Sequence, residues 1–178
     1  MVENAEKQFG VAFDCPVVSI PDLYGGKIVA ALDRQHPRDI FDIKLLMENE
    51  GLSSDIITGF LIYLSSHNRP FHEVLSPTKK NMQKTFNDEF IGMTNIDFSY
   101  EEFEKVREKL SSDILKILSI DQRNFLLSLQ IGTPNWTLLN IQGVEQLPAV
   151  KWKLENIQKM SPERRAQDFK SLQQILNY

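Results

Sequence analysis

Apolar residues recur every three or four positions through most of this chain, which is the spacing expected for one face of an α-helix. The clearest series follows Phe98, because Ser99 and Glu102 form an S-x-x-E capping box at its start. The apolar positions of this series are Phe103, Val106, Leu110, Ile114 and Ile117. The pattern predicts a helix that ends near Leu118.

Further helices are predicted where an apolar series follows a capping residue or a proline and ends at a glycine or a proline. They lie at about residues 20–33, 38–49, 54–65, 78–90, 121–129, 148–159 and 163–176. Residues 136–147 lack the periodicity and are interpreted as a loop. The sequence therefore predicts a mainly α chain.

One segment favours a strand. Val17, Val18 and Ile20 follow Pro16 within residues 11–20, and β-branched residues fit strands well. We therefore predict an α+β remnant with one or two short strands at residues 1–50, followed by a helical bundle at residues 51–178.

Two adjacent glycines, Gly25 and Gly26, fall inside the first predicted helix. Each glycine costs about 1 kcal/mol relative to alanine in a helix. The pair therefore indicates a late helix start, or a place where another backbone or a ligand comes close.

Composition excludes several classes of protein. The chain has 178 residues, 42% of them hydrophobic and 25% charged, which is ordinary for a globular protein. A net charge of −4 means that a nucleic acid would have to meet a local basic patch. The single cysteine excludes an internal disulfide, and no apolar run approaches the ~20 residues of a membrane helix. Because residues 1–10 are polar, unlike a signal peptide, we expect a cytoplasmic protein without membrane contact.

Candidate chemistry lies on the first two predicted helices, which a short proline turn joins. Lys27 and Arg34 are two helical turns apart and share a face, as do Asp39 and Asp42, and Arg38 can reach Asp42 at i,i+4. An ammonium neutralises phosphate oxygens, while a carboxylate holds a metal, accepts a proton or orients the lysine. On spacing alone, surface ion pairs between packed helices are the more common case.

A family resemblance changes this balance. The segment Leu23–Asp42 reads LYGGKIVAALDRQHPRDIFD and closely resembles a signature of the AbiEii/AbiGii nucleotidyltransferase-like family. Three downstream segments resemble the family in the same order and at similar spacing. They are RPFHE at residues 69–73, EFIGM at 89–93 and LPAVKWKL at 147–154.

The resemblance implies the C-terminal part of a nucleotidyltransferase fold, with residues 1–50 as the remnant of the nucleotidyltransferase domain. Members of this family are toxins of type IV toxin–antitoxin pairs, act in abortive infection as phage defence, and have a cognate antitoxin that acts mainly through gene regulation. The family uses a nucleoside triphosphate with Mg²⁺, and some members transfer nucleotides to the acceptor end of tRNA.

By the same resemblance, Lys27 matches the lysine that binds the triphosphate, and Arg38 belongs to the family's Arg-Asp motif. We expect Arg34, which shares a helix face with Lys27, and Arg38 to bind the nucleotide as well. Asp42 matches a carboxylate that works with the lysine, and Asp39 completes the Arg-Asp motif as a second catalytic candidate. Asp39 also suits the start of a helix, where the helix dipole favours a negative charge. Both interpretations of Asp39 stay open.

The family's Gly-Ser turn and its D-x-D or D-x-E pair, which bind phosphate and metal, do not occur in this sequence. No metal ligand is therefore assigned here. We expect a truncated family member that does not transfer nucleotides by itself, with apolar surface exposed at residues 17–20 and 28–32. A strand edge there would favour a homodimer. The alternative is a non-catalytic helical module that binds protein or RNA.

Two further sets of residues have two interpretations each. Two groups of lysines could meet an RNA backbone, although solvated helix faces are more common. They are Lys79, Lys80 and Lys84, and Lys151, Lys153 and Lys159. Trp136 and Trp152 could stack on bases, although their apolar neighbours favour core packing.

Overall fold

The computed structural model describes residues 7, 8, 10 and 16–177. Within residues 16–177, nine α-helices confirm the prediction of a mainly α chain. They are α1 (Ile20–Arg34), α2 (Pro37–Asn49), α3 (Ser54–Ser66), α4 (Phe71–Leu75), α5 (Gln83–Glu89), α6 (Tyr100–Ile117), α7 (Ile120–Gln130), α8 (Pro148–Lys159) and α9 (Pro162–Leu176). Two short 3₁₀ turns, Trp136–Leu139 and Val144–Gln146, lie in the predicted loop between α7 and α8.

The strand predicted within residues 11–20 does not form in its described part. Residues 16–19 have no strand partner there, and Ile20 begins α1. Ser19 instead caps α1 by accepting a hydrogen bond from the backbone N–H of Asp22 at 3.3 Å. This capping outweighs the β-branched composition, since strand propensity depends on a neighbouring strand to pack against. Residues 11–15 of the predicted strand lie outside the described residues.

The predicted helix at 78–90 is shorter, since α5 begins at Gln83. Backbone groups of Thr78 and Lys80 instead bond to the side chain of Gln35, which holds this stretch in a non-helical path. Among the described residues, no helix is both long enough and apolar enough to cross a membrane.

α1 and α3 pack against each other more extensively than any other pair of helices in the described structure. A Cβ atom on Gly25 would lie only 2.5 Å from the carbonyl carbon of Gly59, and one on Gly59 would overlap the carbonyl oxygen of Pro21. The two backbones therefore touch, which confirms that Gly25 marks the close approach of another backbone.

This packing decides which parts of α1 are buried. Ile28, Val29 and Leu32 lie in the hydrophobic core, so the predicted exposure of residues 28–32 is wrong: α2 and α3 cover this face. Residues 17–20 fit the prediction better, because Val17, Val18 and Ile20 are exposed. Self-association there stays a prediction, although the described residues offer no strand edge for it.

Aromatic side chains join α2, α5 and α6. The Phe41 ring of α2 lies 5.4 Å from the ring of Phe90 and 5.3 Å from that of Phe98. Phe86 and Phe103 extend the cluster, with their centroids 5.9 Å apart. These rings attach the end of α5 to α2.

The backbone contact between α1 and α3 predicts opposite effects for two adjacent glycines. Replacing Gly25 with alanine should lower the free energy of unfolding by about 1–3 kcal/mol, because the new methyl group meets fixed backbone atoms. Denaturant unfolding monitored by circular dichroism measures this loss.

Gly26→Ala is the matched control. Its Cβ would approach only the half-exposed ring of Tyr63, at 3.3 Å, and the alanine improves helix propensity by about 1 kcal/mol. If Gly26→Ala lowers the free energy of unfolding as much as Gly25→Ala does, this account of the helix crossing is wrong.

Candidate functional site

Lys27 of α1 and Asp42 of α2 form an ion pair across the two helices. The Nζ atom of Lys27 donates to Oδ2 of Asp42 at 2.5 Å, and the two side chains are 33% and 36% exposed. The pair therefore lies at the surface, where a ligand can reach both groups.

A second ion pair lies nearer the turn between the helices. Nη2 of Arg34 donates to Oδ1 of Asp39 at 2.9 Å, with Arg34 mostly exposed and Asp39 mostly buried. Oδ2 of Asp39 is buried without a hydrogen-bond partner in the described structure. Asp39 also lies in the first turn of α2, as its helix-start interpretation requires.

Arg38 does not pair with Asp42 in the described structure, so the predicted i,i+4 contact is wrong. Its Nη2 atom donates instead to the carbonyl oxygen of Glu89 at 3.2 Å. The aromatic cluster brings this end of α5 beside α2, while Lys27 occupies the carboxylate of Asp42.

The turn that brings the four charged residues together depends on Gln35, a buried residue in the left-handed backbone region with φ 55°. Its side-chain NH₂ donates to the carbonyl oxygen of Thr78 at 2.9 Å. Its side-chain oxygen accepts from the backbone N–H of Lys80 at 3.1 Å and from Arg107 at 3.0 Å. His36 then caps α2, with Nδ1 accepting from the N–H of Arg38 at 3.2 Å.

A third cluster surrounds Asp33, which the sequence did not single out. Its carboxylate accepts from Arg69 at 2.5 Å and lies 3.5 Å from His67. Burial by itself would raise the pKa of Asp33, but the hydrogen bond from Arg69 and the charge of His67 lower it overall. Arg69 also binds Glu73 at 3.0 Å, so the cluster joins α1 to the start of α4.

Most lysines of the two groups bind other residues of the protein. Lys79 pairs with Glu104 and Glu108, and Lys80 donates to the carbonyl oxygen of Asp33 at 2.8 Å. In the second group, Lys159 pairs with Glu155. These contacts favour the interpretation as solvated or ion-paired faces over an RNA-binding patch.

The two tryptophans differ. Trp136 packs 5.5 Å from the ring of Phe125, which confirms core packing. Trp152 is 53% exposed, so core packing is wrong there: α8 turns Val150, Lys153 and Ile157 inward instead.

A cavity of about 700 Å³ opens beside the N-terminal ends of α1, α3 and α7. Its lining includes Ser19, Asp22, Asp55, Thr58, Tyr63 and Asn140. The Tyr63 hydroxyl donates to Oδ1 of Asp22 at 2.7 Å, and this hydrogen bond raises the pKa of Tyr63. No sequence signal marked Tyr63, because its importance depends on a glycine of another helix.

Taken together, the α1–α2 face presents a lysine with a carboxylate partner and two exposed arginines. Such a face can bind and neutralise an anion with several negative oxygens, such as a phosphate chain. Among the described residues, no group of three or more His, Cys, Asp or Glu is arranged to hold a metal ion.

The model of a family described as "Nucleotidyl transferase AbiEii toxin, Type IV TA system" matches residues 2–156. No curated protein and no solved structure matches the chain. The matched range contains all five residues predicted from the sequence for the site.

Lys153 is the buried member of the second lysine group. Its Nζ donates to the carbonyl oxygen of Arg69 at 2.7 Å and lies 4.6 Å from the centre of the Phe71 ring. Burial lowers the pKa of Lys153 to about 8, against the opposing charges of Asp168 and Glu73.

The lowered pKa of Lys153 predicts a pH-dependent stability. Between pH 8 and pH 10.5 the unfolded chain holds a proton at Lys153 that the folded chain releases, so the free energy of unfolding rises with pH. Relative to that of Lys153→Met, the free energy of unfolding of the wild type should rise by on the order of 2 kcal/mol across this range. Urea unfolding at several pH values measures the difference.

Lys151→Met, an exposed neighbour on the same helix, supplies the control for a general change in charge. If the wild type and Lys153→Met show parallel pH curves, the buried ammonium does not have the lowered pKa.

Proposed function

The chain belongs to the AbiEii nucleotidyl transferase toxin family of type IV toxin–antitoxin systems, and we propose that its α1–α2 face binds the triphosphate of the nucleotide substrate. The observation that carries the proposal is the surface pair of Lys27 and Asp42, 2.5 Å apart. The ammonium of Lys27 would contact phosphate oxygens, and Asp42 would orient it.

The second ion pair has a related role in this proposal. Arg34 and Arg38 are exposed, and Arg34 shares a helix face with Lys27, so they would add positive charge around the phosphates. Asp39, whose Oδ1 holds Arg34, would fix the direction of that guanidinium. The catalytic candidates Asp42 and Asp39 thus act by holding cations.

Mg²⁺ accompanies the nucleotide in this family, but the donors of the α1–α2 face do not fit it. Asp42 and Asp39 are each engaged by a cation of the protein, and one oxygen of Asp39 is buried. Mg²⁺ needs free carboxylate oxygens in an octahedral arrangement. We therefore assign no metal ligand here, and propose that the chain alone does not transfer nucleotides.

For the complete reaction we propose transfer of a nucleotide to the acceptor end of tRNA, in the cytoplasm, during abortive infection by phage. The family also implies a cognate antitoxin as the genetic partner. The second candidate function, a non-catalytic module that binds protein or RNA, is favoured by the exposed Trp152. Nucleotide binding separates the two candidates.

Nucleotide binding should stabilise the wild-type chain in a manner that depends on Lys27. With Mg²⁺ and GTP, CTP, ATP or UTP, at least one nucleotide should raise the melting temperature. A nucleotide at 100-fold above its dissociation constant would add about 2.7 kcal/mol. Lys27→Ala should abolish the shift, since it removes the phosphate contact.

Lys105→Ala is the matched control, because Lys105 also pairs with a carboxylate, that of Glu101, on an exposed surface. The proposal fails if no nucleotide shifts the melting temperature, or if Lys27→Ala responds as strongly as Lys105→Ala.

Transfer activity is expected to be absent from this chain alone. Incubation with labelled nucleoside triphosphates, Mg²⁺ and tRNA should give no more labelled RNA than the Lys27→Ala variant gives. Clear transfer above that variant would mean that the chain supplies its own metal ligands.

A further inference from the structure

The ring of Tyr63 lies directly against the backbone of α1, one residue before Lys27. A Cβ atom on Gly26 would be 3.3 Å from Cε1 and 3.4 Å from Cζ of this ring, so the ring packs closely over the glycine. The hydrogen bond from the Tyr63 hydroxyl, which Cζ carries, to Asp22 fixes the same end of the ring. Tyr63 is still 40% exposed, so one part of the ring stays open to solvent.

The exposed surface of α1 connects Tyr63 with Lys27. Gly26 and Lys27 are consecutive residues, whose side-chain directions differ by about 100° around the helix. Ala30 and Leu23 lie between these directions and are not buried. A ligand on this surface can therefore touch Tyr63 at one end and Lys27 at the other.

The cavity beside Tyr63 has the size and chemistry of a nucleoside site. Its volume of about 700 Å³ is within the usual range of small-molecule sites. Ile62, Leu138 and Ile141 give it apolar surface, while Asp22 and Asn140 offer hydrogen-bonding groups. Asp22 uses Oδ1 for Tyr63, which leaves Oδ2 as an acceptor for a sugar hydroxyl.

Charge separates the two ends of this surface. The cavity lining contains the carboxylates of Asp22, Asp55 and Asp121 and no lysine, arginine or histidine. A phosphate chain would be repelled there, whereas base amino groups and sugar hydroxyls are hydrogen-bond donors that carboxylates accept. The ammonium of Lys27, by contrast, attracts a phosphate chain.

We propose that the cavity at Tyr63 binds the nucleoside part of the substrate, with the base stacked on the Tyr63 ring and the sugar hydroxyls facing Asp22. The phosphates then lead across α1 to Lys27. The link to Lys27 rests on the proposed function, but the nucleoside site stands on the cavity and the Tyr63 ring.

Three probes test the two ends separately in the full chain by NMR of the labelled protein. The first is a set of nucleosides without phosphate: adenosine, guanosine, cytidine and uridine. The second is inorganic tripolyphosphate, and the third is each nucleoside triphosphate with Mg²⁺. At least one nucleoside should shift the amide signals around Tyr63, Asp22 and Asn140.

Variants then assign the nucleoside effect. Tyr63→Ala should weaken nucleoside affinity by about tenfold or more, the size expected for loss of a base–aromatic contact, while Tyr63→Phe, which keeps the ring, retains most of it. Thr58→Phe fills the cavity from α3 without altering Tyr63, and should also block the nucleoside. Lys27→Ala should leave nucleoside binding unchanged, and Trp152→Ala controls for loss of an exposed aromatic ring elsewhere.

The outcomes are distinct. If no nucleoside binds, or if Tyr63→Ala and Thr58→Phe bind it as the wild type does, the nucleoside site is wrong. If nucleosides bind at Tyr63 but the Lys27→Ala variant binds tripolyphosphate and every triphosphate as the wild type does, the nucleoside site stands and the proposed triphosphate site fails. If both ends bind, a triphosphate should bind more tightly than either probe, and both Tyr63→Ala and Lys27→Ala should weaken it.

Discussion

The contact between the backbones of α1 and α3 is the constraint on which the candidate site depends. Gly25 and Gly59 allow the two helices to approach until no side chain fits between them. At this separation the Tyr63 ring reaches the surface of α1 at Gly26, and Asp22 reaches the Tyr63 hydroxyl. A larger separation would leave the core of α1 uncovered and would remove the ring from the neighbourhood of Lys27.

The second constraint is the two-residue turn between α1 and α2. Gln35 adopts a left-handed backbone that costs a non-glycine residue roughly 1–2 kcal/mol, and its side-chain hydrogen bonds to Thr78, Lys80 and Arg107 offset that cost. Because these partners come from α6 and the segment before α5, the direction of α2 is set by distant parts of the chain. The Lys27–Asp42 pair is thus a tertiary feature, although both residues lie within one short sequence motif.

Local signals in the sequence were sufficient for much of the fold. Serine and proline at helix starts predicted most helices, and paired glycines predicted a close approach, because caps and glycines act within a few residues. The charge spacing predicted which residues of α1 and α2 face each other, but it could not foresee that Arg38 turns to Glu89. That contact depends on aromatic packing across 51 residues of sequence. The predicted strand failed for a similar reason, since β-branched residues favour a strand only where another strand is present to pair with.

Partial exposure of the Lys27–Asp42 pair is itself informative about binding. Exposed ion pairs contribute only about 0–1 kcal/mol, because water competes for both charges. The ammonium of Lys27 has three N–H donors, so at this exposed position it can bind a phosphate oxygen while Asp42 still orients it. By contrast, Lys153 is buried and held by the carbonyl oxygen of Arg69 and by the ring of Phe71. The cations of this chain thus differ in accessibility, and Lys27 is one that an anionic ligand can recruit without disturbing the fold.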